Sequence, residues 1–115
     1  MQIEVVTDIK GTPTLIDDIA NALIILINNN RDGIYHVSGP QMLSRYEMAV
    51  NICNTFGFDA TLVKPIISKE LIQDAPRPKD TSLNTEKLKK EGILMHDTIS
   101  GLNIMKGQMS SHGAI

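Results

Sequence analysis

The clearest hydrophobic pattern of the chain lies between residues 33 and 56, where a strand-like segment, a loop and a helix follow one another. Apolar Tyr35 and Val37 alternate with polar residues, and this period of two predicts a strand that starts at Ile34 and ends at Ser38. The dipeptide Gly39-Pro40 then breaks the chain. We therefore expect a strand that leads through a tight loop into a helix.

The helix of this stretch carries signals at both of its ends. Ser44 and Glu47 have the spacing of a capping box, in which each side chain binds the backbone N–H of the other residue. Gly57 supplies a stop, because glycine adopts left-handed dihedral angles without a Cβ clash. The apolar positions between them recur at helical spacing: Met48, Ala49, Ile52, Cys53 and Phe56.

Before this stretch, the pattern predicts a short strand over residues 3–6 and a first helix from Asp17 to Asn28. The apolar run from Leu23 to Ile27 is also compatible with a strand, but the length of the segment and its acidic start favour a helix. This helix is apolar nearly all round, and such a helix is usually buried on more than one side. In a small α/β chain one side of a helix should meet water, so we expect this helix to need a covering element beyond those that the chain readily supplies.

After this stretch, the pattern predicts a second strand over residues 61–67, which Pro65 confines to an edge or to a strand end. Gly101 and Gly107 weaken a last helix that Asp97 or Thr98 caps. The remaining expectations are a helical turn from residue 68, an irregular segment over 75–83, a short helix over 85–91, one domain over 1–109 and a frayed tail over 110–115.

Length, charge and composition exclude several classes of protein. A chain of 115 residues corresponds to one domain, and a net charge of −2 without a basic stripe argues against nucleic-acid binding. The longest apolar run, Leu23–Ile27, is too short to span a membrane. No signal peptide is visible and Cys53 is the single cysteine, so we expect a cytoplasmic protein with an inert core thiol.

The motifs of several catalytic and cofactor-binding sites are absent from the sequence. The eight glycines form neither a dinucleotide-binding fingerprint nor a P-loop. His36, His96 and His112 lack the spacing of metal ligands, so we expect no metal site. Neither Tyr35 nor Tyr46 is followed by lysine four residues later, so a Tyr-x-x-x-Lys pair is missing. The sequence offers no catalytic residue and no cofactor-binding residue.

Several short motifs nevertheless occur in an order and spacing that resemble a known family. They are Asp8-x-x-Gly11-x-Pro13-Thr14, Asp18-Ile19-Ala20, the run GIYHVSG, Ser44-x-Tyr46-Glu47-x-Ala49, Lys64-Pro65-Ile66, Arg77-Pro78-Lys79-Asp80-x-Ser82-Leu83 and Lys87-Leu88. Over residues 3–93 the chain resembles the C-terminal, substrate-binding part of the dTDP-4-dehydrorhamnose reductase family. That family belongs to the extended short-chain dehydrogenases and includes the β subunit of methionine adenosyltransferase.

The resemblance implies an α/β fold with few short parallel or mixed strands and three to four helices, without the Rossmann half. In the family that half binds NADH or NADPH and carries the catalytic Tyr-x-x-x-Lys. This chain would then bind the nucleotide sugar, a dTDP-sugar, and would be inactive alone. Catalysis would need a companion Rossmann-domain chain. The alternatives are self-association, a protein-interaction module similar to the β subunit, or a remnant without function.

Three residues are candidates for contact with such a nucleotide sugar. Gly11 allows a ligand to approach the backbone closely, and Thr14 offers a hydroxyl donor. Arg77 lies between two prolines, and its guanidinium group matches phosphate oxygens in pairs. The alternatives are that residues 10–14 only fix the geometry of a turn and that Arg77 pins its own segment by binding backbone carbonyls.

Overall fold

The computed structural model describes residues 1–112, and within them the fold is α/β, as the sequence predicted. Four short strands and four helices follow one another along the chain. Their bounds are β1 Ile3–Val6, β2 Lys10–Gly11, α1 Ile16–Asn28, β3 Leu43–Ser44, α2 Arg45–Phe56, β4 Val63–Ile66, α3 Glu86–Lys90 and α4 Thr98–Ser111.

The first two-stranded sheet joins distant parts of the chain, because β1 pairs with β4 in parallel, with Ile3 opposite Val63. Val6 and Ile66 of these strands are buried together with Ile9 in one small apolar cluster. Parallel strands need a long crossover connection, and here α1 and α2 provide it. The mixed strand pairing that the sequence favoured is therefore confirmed, since the second pair is antiparallel.

The ends of β1 and β4 are tied together by one carboxylate. Asp8 accepts hydrogen bonds from the backbone N–H of Ser68 at 2.9 Å and from its hydroxyl at 2.7 Å. The Ser68 hydroxyl is the main reason why the pKa of Asp8 lies below its ordinary value of 3.8, because these bonds form with the ionised carboxylate. A 3₁₀ turn over Ser68–Glu70 follows directly.

The second sheet leads into α2. Lys10 of β2 pairs with Ser44 of β3 in an antiparallel register, and α2 begins at the next residue. The Glu47 N–H donates to Ser44 Oγ and the Ser44 N–H donates to Glu47 Oε1, both at 3.0 Å. The predicted capping box is thus confirmed, and so is the stop at Gly57, where φ is +77°. The hydrogen bond from the Ser44 backbone is the main cause of the lowered pKa of Glu47.

The core of the other half of the molecule forms where α1 packs against α3. Ala22 and Leu26 of α1 contact Leu88 of α3 and Ile93, which follows that helix. Within residues 1–112, the opposite side of α1 is exposed, so none of the described elements supplies the further cover that the sequence led us to expect for this helix. The reason is that the chain described here folds α3 and the segment after it onto one side of α1 only.

The strand predicted from Ile34 to Ser38 is absent, and this prediction was wrong. Tyr35 and Val37 do point toward the interior, where they pack on the cluster of α1 and α3. The backbone, however, finds no neighbouring strand among the described residues. Lys87 holds the segment instead, because its ammonium group lies 4.2 Å from the centre of the Tyr35 ring and donates to the Ile34 carbonyl at 2.9 Å.

In the last third of the chain, β4 starts at Val63, later than predicted, because residues 60–62 form a 3₁₀ turn. The helix α4 is capped by Asp97, which accepts a hydrogen bond from the Ser100 N–H at 2.8 Å. The helix extends to Ser111, two residues into the predicted tail, and residues 113–115 of that tail lie outside the described residues. The division into a domain and a tail stays a prediction.

Candidate functional site

The proline-containing segment that follows β4 runs back to β2 and lies beside it. The Lys10 N–H donates to the Lys79 carbonyl at 2.7 Å, and the Thr81 N–H donates to the Lys10 carbonyl at 3.0 Å. These two bonds form a parallel bridge between Lys10 and Asp80. Residues at or next to this bridge line two cavities: Lys10 and Thr81 line one, and Ile9 and Arg77 line the other.

The first cavity, which we call the strand cavity, has a volume of about 440 Å³ and lies between β2, β3 and α2. Its apolar wall is formed by Val5, Leu43, Met48, Ala49 and Ile52. Its polar groups include Lys10, Thr12, Arg45 and Thr81. Lys10 and Arg45 are the charged side chains of this lining, and Lys10 lies near enough to the carboxylates of Glu47 and Asp80 for its charge to help lower their pKa values.

The second cavity, which we call the proline-loop cavity, has a volume of about 390 Å³. Arg77 and Lys69 line it together with Ser68 and Gln73. The Arg77 side chain is exposed, and among residues 1–112 no group accepts a hydrogen bond from it. The alternative that Arg77 binds carbonyls of its own segment therefore finds no support in the geometry, and its guanidinium group is available to a ligand.

Gly11 and Thr14 lie in different places from Arg77. Gly11 lines the strand cavity, and a Cβ atom there would come within 3.1 Å of the Thr81 hydroxyl, so glycine lets the proline-containing segment approach β2. The Thr14 hydroxyl donates to the Thr12 carbonyl and accepts from the Gly39 N–H, both at 2.9 Å. The Thr14 hydroxyl proton is therefore used within the turn, so a ligand could bind this hydroxyl only as a donor to its remaining lone pair.

The structure also brings forward cations that the sequence analysis did not single out. Lys10 and Arg45 share the strand cavity, and Lys69 lies with Arg77 in the proline-loop cavity. The sequence pointed weakly to Lys10, because this residue directly precedes Gly11, one of the three candidates for contact with a nucleotide sugar. Nothing in the sequence pointed to Arg45, because its place in the cavity depends on the pairing of Lys10 with Ser44, which is not visible in the sequence.

The charged side chains that line these two cavities are cations, namely Lys10, Arg45, Lys69 and Arg77, and cations attract an anionic ligand. Neither cavity is lined by histidine, cysteine, aspartate or glutamate, the groups that most often transfer protons. Within residues 1–112, no three such side chains come close enough to hold a metal ion. Paired guanidinium and ammonium groups do match the oxygens of a phosphate or diphosphate.

The helices of the described part of the chain are all too short or too polar to cross a lipid bilayer.

Comparison with known proteins identifies the family. The model of the RmlD substrate binding domain matches residues 1–102. The chain is 34% identical to the spore coat polysaccharide biosynthesis protein SpsK of Bacillus subtilis over 92 residues, which are 80% of this chain and 32% of that protein. It is 31% identical to the methionine adenosyltransferase 2 subunit beta of Xenopus tropicalis over 86 residues, which are 70% of this chain and 25% of that one.

A solved structure supports the same assignment. The crystal structure of dTDP-4-dehydrorhamnose reductase from Bacillus anthracis, determined in complex with NADP, superposes with a TM-score of 0.80 at 30% identity. The match covers 88% of this chain and 36% of that protein. The chain thus spans about a third of the length of the relatives that it matches, and it belongs to the RmlD substrate binding domain family.

Proposed function

We propose that the chain is the nucleotide-sugar-binding part of a dTDP-4-dehydrorhamnose reductase-like protein and binds a dTDP-sugar. The observation that carries this proposal is the exposed Arg77, which lines the proline-loop cavity without a hydrogen-bond partner in residues 1–112. The two prolines restrict the backbone around Arg77, so the backbone loses little further freedom when the guanidinium group binds a diphosphate. Lys69 adds a second positive charge to the same cavity.

The strand cavity extends this proposal to the rest of the ligand. Its wall combines apolar side chains with hydroxyl groups and two cations, a mixture that suits a sugar or a base attached to a phosphate. Ile9 lines the proline-loop cavity and Lys10, the next residue, lines the strand cavity, so the proposal is that one nucleotide sugar contacts both. In this proposal Gly11 has an indirect role, because the lack of a Cβ atom there lets the segment that contains Thr81 pack against β2. Thr14 also has an indirect role, because its hydroxyl accepts the Gly39 N–H and so fixes the turn.

Calorimetric titration of the purified chain with dTDP and with a dTDP-sugar tests this proposal. We expect micromolar affinity, its loss in Arg77→Ala, and wild-type affinity in Arg31→Ala, a matched control. The control removes an arginine that is committed to Glu91 through a bond of 2.8 Å. Absence of binding by the wild-type chain, or equal binding by Arg77→Ala, would contradict the proposal.

The isolated chain is proposed to be inactive as a reductase. The family's NADH or NADPH site and its catalytic tyrosine and lysine have no counterpart among the motifs of this sequence. Turnover would therefore need a companion chain that carries a Rossmann domain. Oxidation of NADPH by the purified chain in the presence of a dTDP-4-keto sugar would contradict this part of the proposal. Residence in the cytoplasm stays a prediction.

A second candidate function is that of a protein-interaction or regulatory module. The relative named as the methionine adenosyltransferase 2 subunit beta shows that one protein of this family is a subunit of an assembly. The observation that favours this candidate is the exposed apolar side of α1. Binding of dTDP with loss in Arg77→Ala supports the first candidate, whereas a chain that forms assemblies and does not bind dTDP supports the second.

A further inference from the structure

One loop of the chain leaves and returns to the same short stretch of backbone. At its start, Asp8 accepts hydrogen bonds from the Ser68 N–H at 2.9 Å and from the Ser68 hydroxyl at 2.7 Å. At its end, the Lys10 N–H donates to the Lys79 carbonyl at 2.7 Å. The loop over residues 68–79, which we call the proline loop, is therefore closed at both ends by residues that are neighbours in sequence, as in an Ω-loop.

Between these two ends, little holds the proline loop in place. Over residues 72–78, no backbone N–H or carbonyl group forms a hydrogen bond with another backbone group of residues 1–112. Ile72 is 98% exposed, so its side chain does not pack on the rest of the described chain. Pro76 and Pro78 restrict the local backbone but cannot donate a hydrogen bond that would tie it down. The course of the loop is therefore set mainly by its two ends.

The two cations of the proline-loop cavity lie close to these ends. Lys69 directly follows Ser68 at the start of the loop, and Arg77 lies two residues before Lys79 at its end. Within residues 1–112, neither cation forms a salt bridge that would fix its position. The anchor at the start of the loop therefore controls where Lys69 lies relative to Arg77.

Asp8 provides the first of these anchors from outside the cavity. The residues that line the proline-loop cavity include Ser68 but not Asp8. Both carboxylate oxygens of Asp8 bind Ser68, because one accepts its N–H and the other its hydroxyl. The carboxylate is thus committed to Ser68 and not to either cation of the cavity, and both cations stay available to an anion.

We propose that Asp8 is a positioning residue for anion binding. By holding Ser68, it keeps Lys69 in the same cavity as Arg77, so that the two cations bind one diphosphate group together. A diphosphate carries oxygens on two phosphorus atoms, and two cations held apart can each bind one of them. This inference rests on the proposed function, because it assigns the diphosphate of the nucleotide sugar to the proline-loop cavity.

The sign of the effect separates this role from a purely Coulombic one. Asp8 is negative and Ile9, the next residue, lines the cavity, so removal of the charge should strengthen anion binding if charge alone mattered. If Asp8 positions the loop, its removal should weaken binding instead. Asparagine is also uncharged, but its carbonyl oxygen can accept the Ser68 N–H and its NH₂ group can donate to the Ser68 hydroxyl oxygen.

Calorimetric titration of the full chain with inorganic pyrophosphate tests the proposal. We expect Asp8→Ala to weaken binding about tenfold, an effect of the size that residues orienting a binding group typically have. Asp8→Asn should bind nearly as tightly as the wild type. The matched control is Asp74→Ala, which removes an exposed carboxylate from the same loop without touching either end, and its affinity should equal or exceed that of the wild type. Urea unfolding shows that each variant is folded at the temperature of the titration.

Four results would overturn the inference. They are a wild-type chain that does not bind pyrophosphate, equal or tighter binding by Asp8→Ala, equal loss in Asp8→Asn and Asp8→Ala, and equal loss in Asp74→Ala. Titration with dTDP keeps the two proposals apart. If pyrophosphate binds and Asp8→Ala weakens it while dTDP does not bind, this inference holds and the nucleotide-sugar proposal fails. If dTDP binds and Asp8→Ala changes the affinity for neither ligand, this inference alone fails.

Discussion

The carboxylate of Asp18, in the first turn of α1, binds His96, which lies just before α4. One oxygen accepts the His96 backbone N–H at 2.7 Å, and the other lies 2.8 Å from Nδ1 of the ring. A carboxylate can only accept, so this geometry assigns the ring proton to Nδ1. Asp18 is buried and His96 half-exposed, and the pair fixes the start of α1 to the last third of the chain.

The first prediction concerns this pair. Asp18→Asn keeps the volume of the side chain but presents an amide donor to one of the two His96 groups. We expect the free energy of unfolding in urea to fall by about 1–3 kcal/mol, because the buried NH₂ group of the asparagine would face a His96 donor instead of an acceptor. Asp32→Asn, at an exposed residue, is the control and should stay within about 0.5 kcal/mol of the wild type. Equal stability of both variants would show that the pair contributes nothing.

The second prediction compares two glycines. At Gly39 a Cβ atom would collide with the Pro13 carbonyl oxygen, and backbone must move to admit it. We expect Gly39→Ala to lower the urea midpoint clearly. At Gly107, inside α4, nothing lies within 4 Å, so Gly107→Ala should raise the free energy of unfolding by about 0.5–1 kcal/mol through helix propensity. The same substitution thus has opposite signs at the two positions, and a loss of stability at both would contradict this account.

The third prediction concerns acid. The pKa of Asp8 is lowered chiefly by the Ser68 hydroxyl, and that of Glu47 chiefly by the Ser44 backbone. A carboxylate whose pKa is lower in the folded state stabilises the fold above its unfolded pKa, and this contribution is lost as the pH falls through the folded value. The melting temperature should therefore be flat near neutral pH and fall below a pH of about 4.5.

The variant Ser68→Ala separates the contribution of Asp8 from that of the other carboxylates. It removes the hydroxyl that binds the ionised carboxylate but keeps the backbone N–H. The melting temperature of this variant should lie below that of the wild type at neutral pH and approach it in acid. A constant difference at every pH would mean that the Asp8 charge is not involved.

The fourth prediction addresses geometry in the proline-loop cavity. Arg77→Lys keeps the charge but loses the planar pair of donors that matches a phosphate. If the binding of dTDP depends on that pair, the affinity should fall about tenfold, less than in Arg77→Ala, with no change in urea midpoint because the side chain is exposed. Wild-type affinity in Arg77→Lys would indicate that charge alone attracts the ligand.

Local signals in the sequence sufficed for some elements and not for others. The helix α2 was predictable because Ser44, Glu47 and Gly57 are close in sequence and act on the same helix. The strand predicted at Ile34 was wrong because alternation records which side chains are buried but not whether a neighbouring strand exists. Tyr35 and Val37 do pack inward, on helices rather than within a sheet.

The candidate site shows the same division. Arg77 was singled out from its prolines and from the resemblance to the family, and it lines a cavity and is exposed, but its role in binding stays a prediction. The strand cavity could not be predicted from the sequence, because it depends on two long-range pairings of Lys10. One is the pairing of two-residue strands that joins Lys10 to Ser44, and the other is the bridge from Lys10 to Asp80, about 70 residues later in the chain. Strands of this length have no periodicity to detect.

The parallel pairing of β1 with β4 has a consequence for synthesis of the protein. Ile3 meets Val63, so sixty residues separate the two strands along the chain. At about 5–20 residues per second, β4 is synthesised about 3–12 seconds after β1. During that interval Val6, which is buried with Ile66 in the folded chain, lacks this partner. The apolar side of β1 must therefore avoid aggregation with other chains until Ile66 has been synthesised.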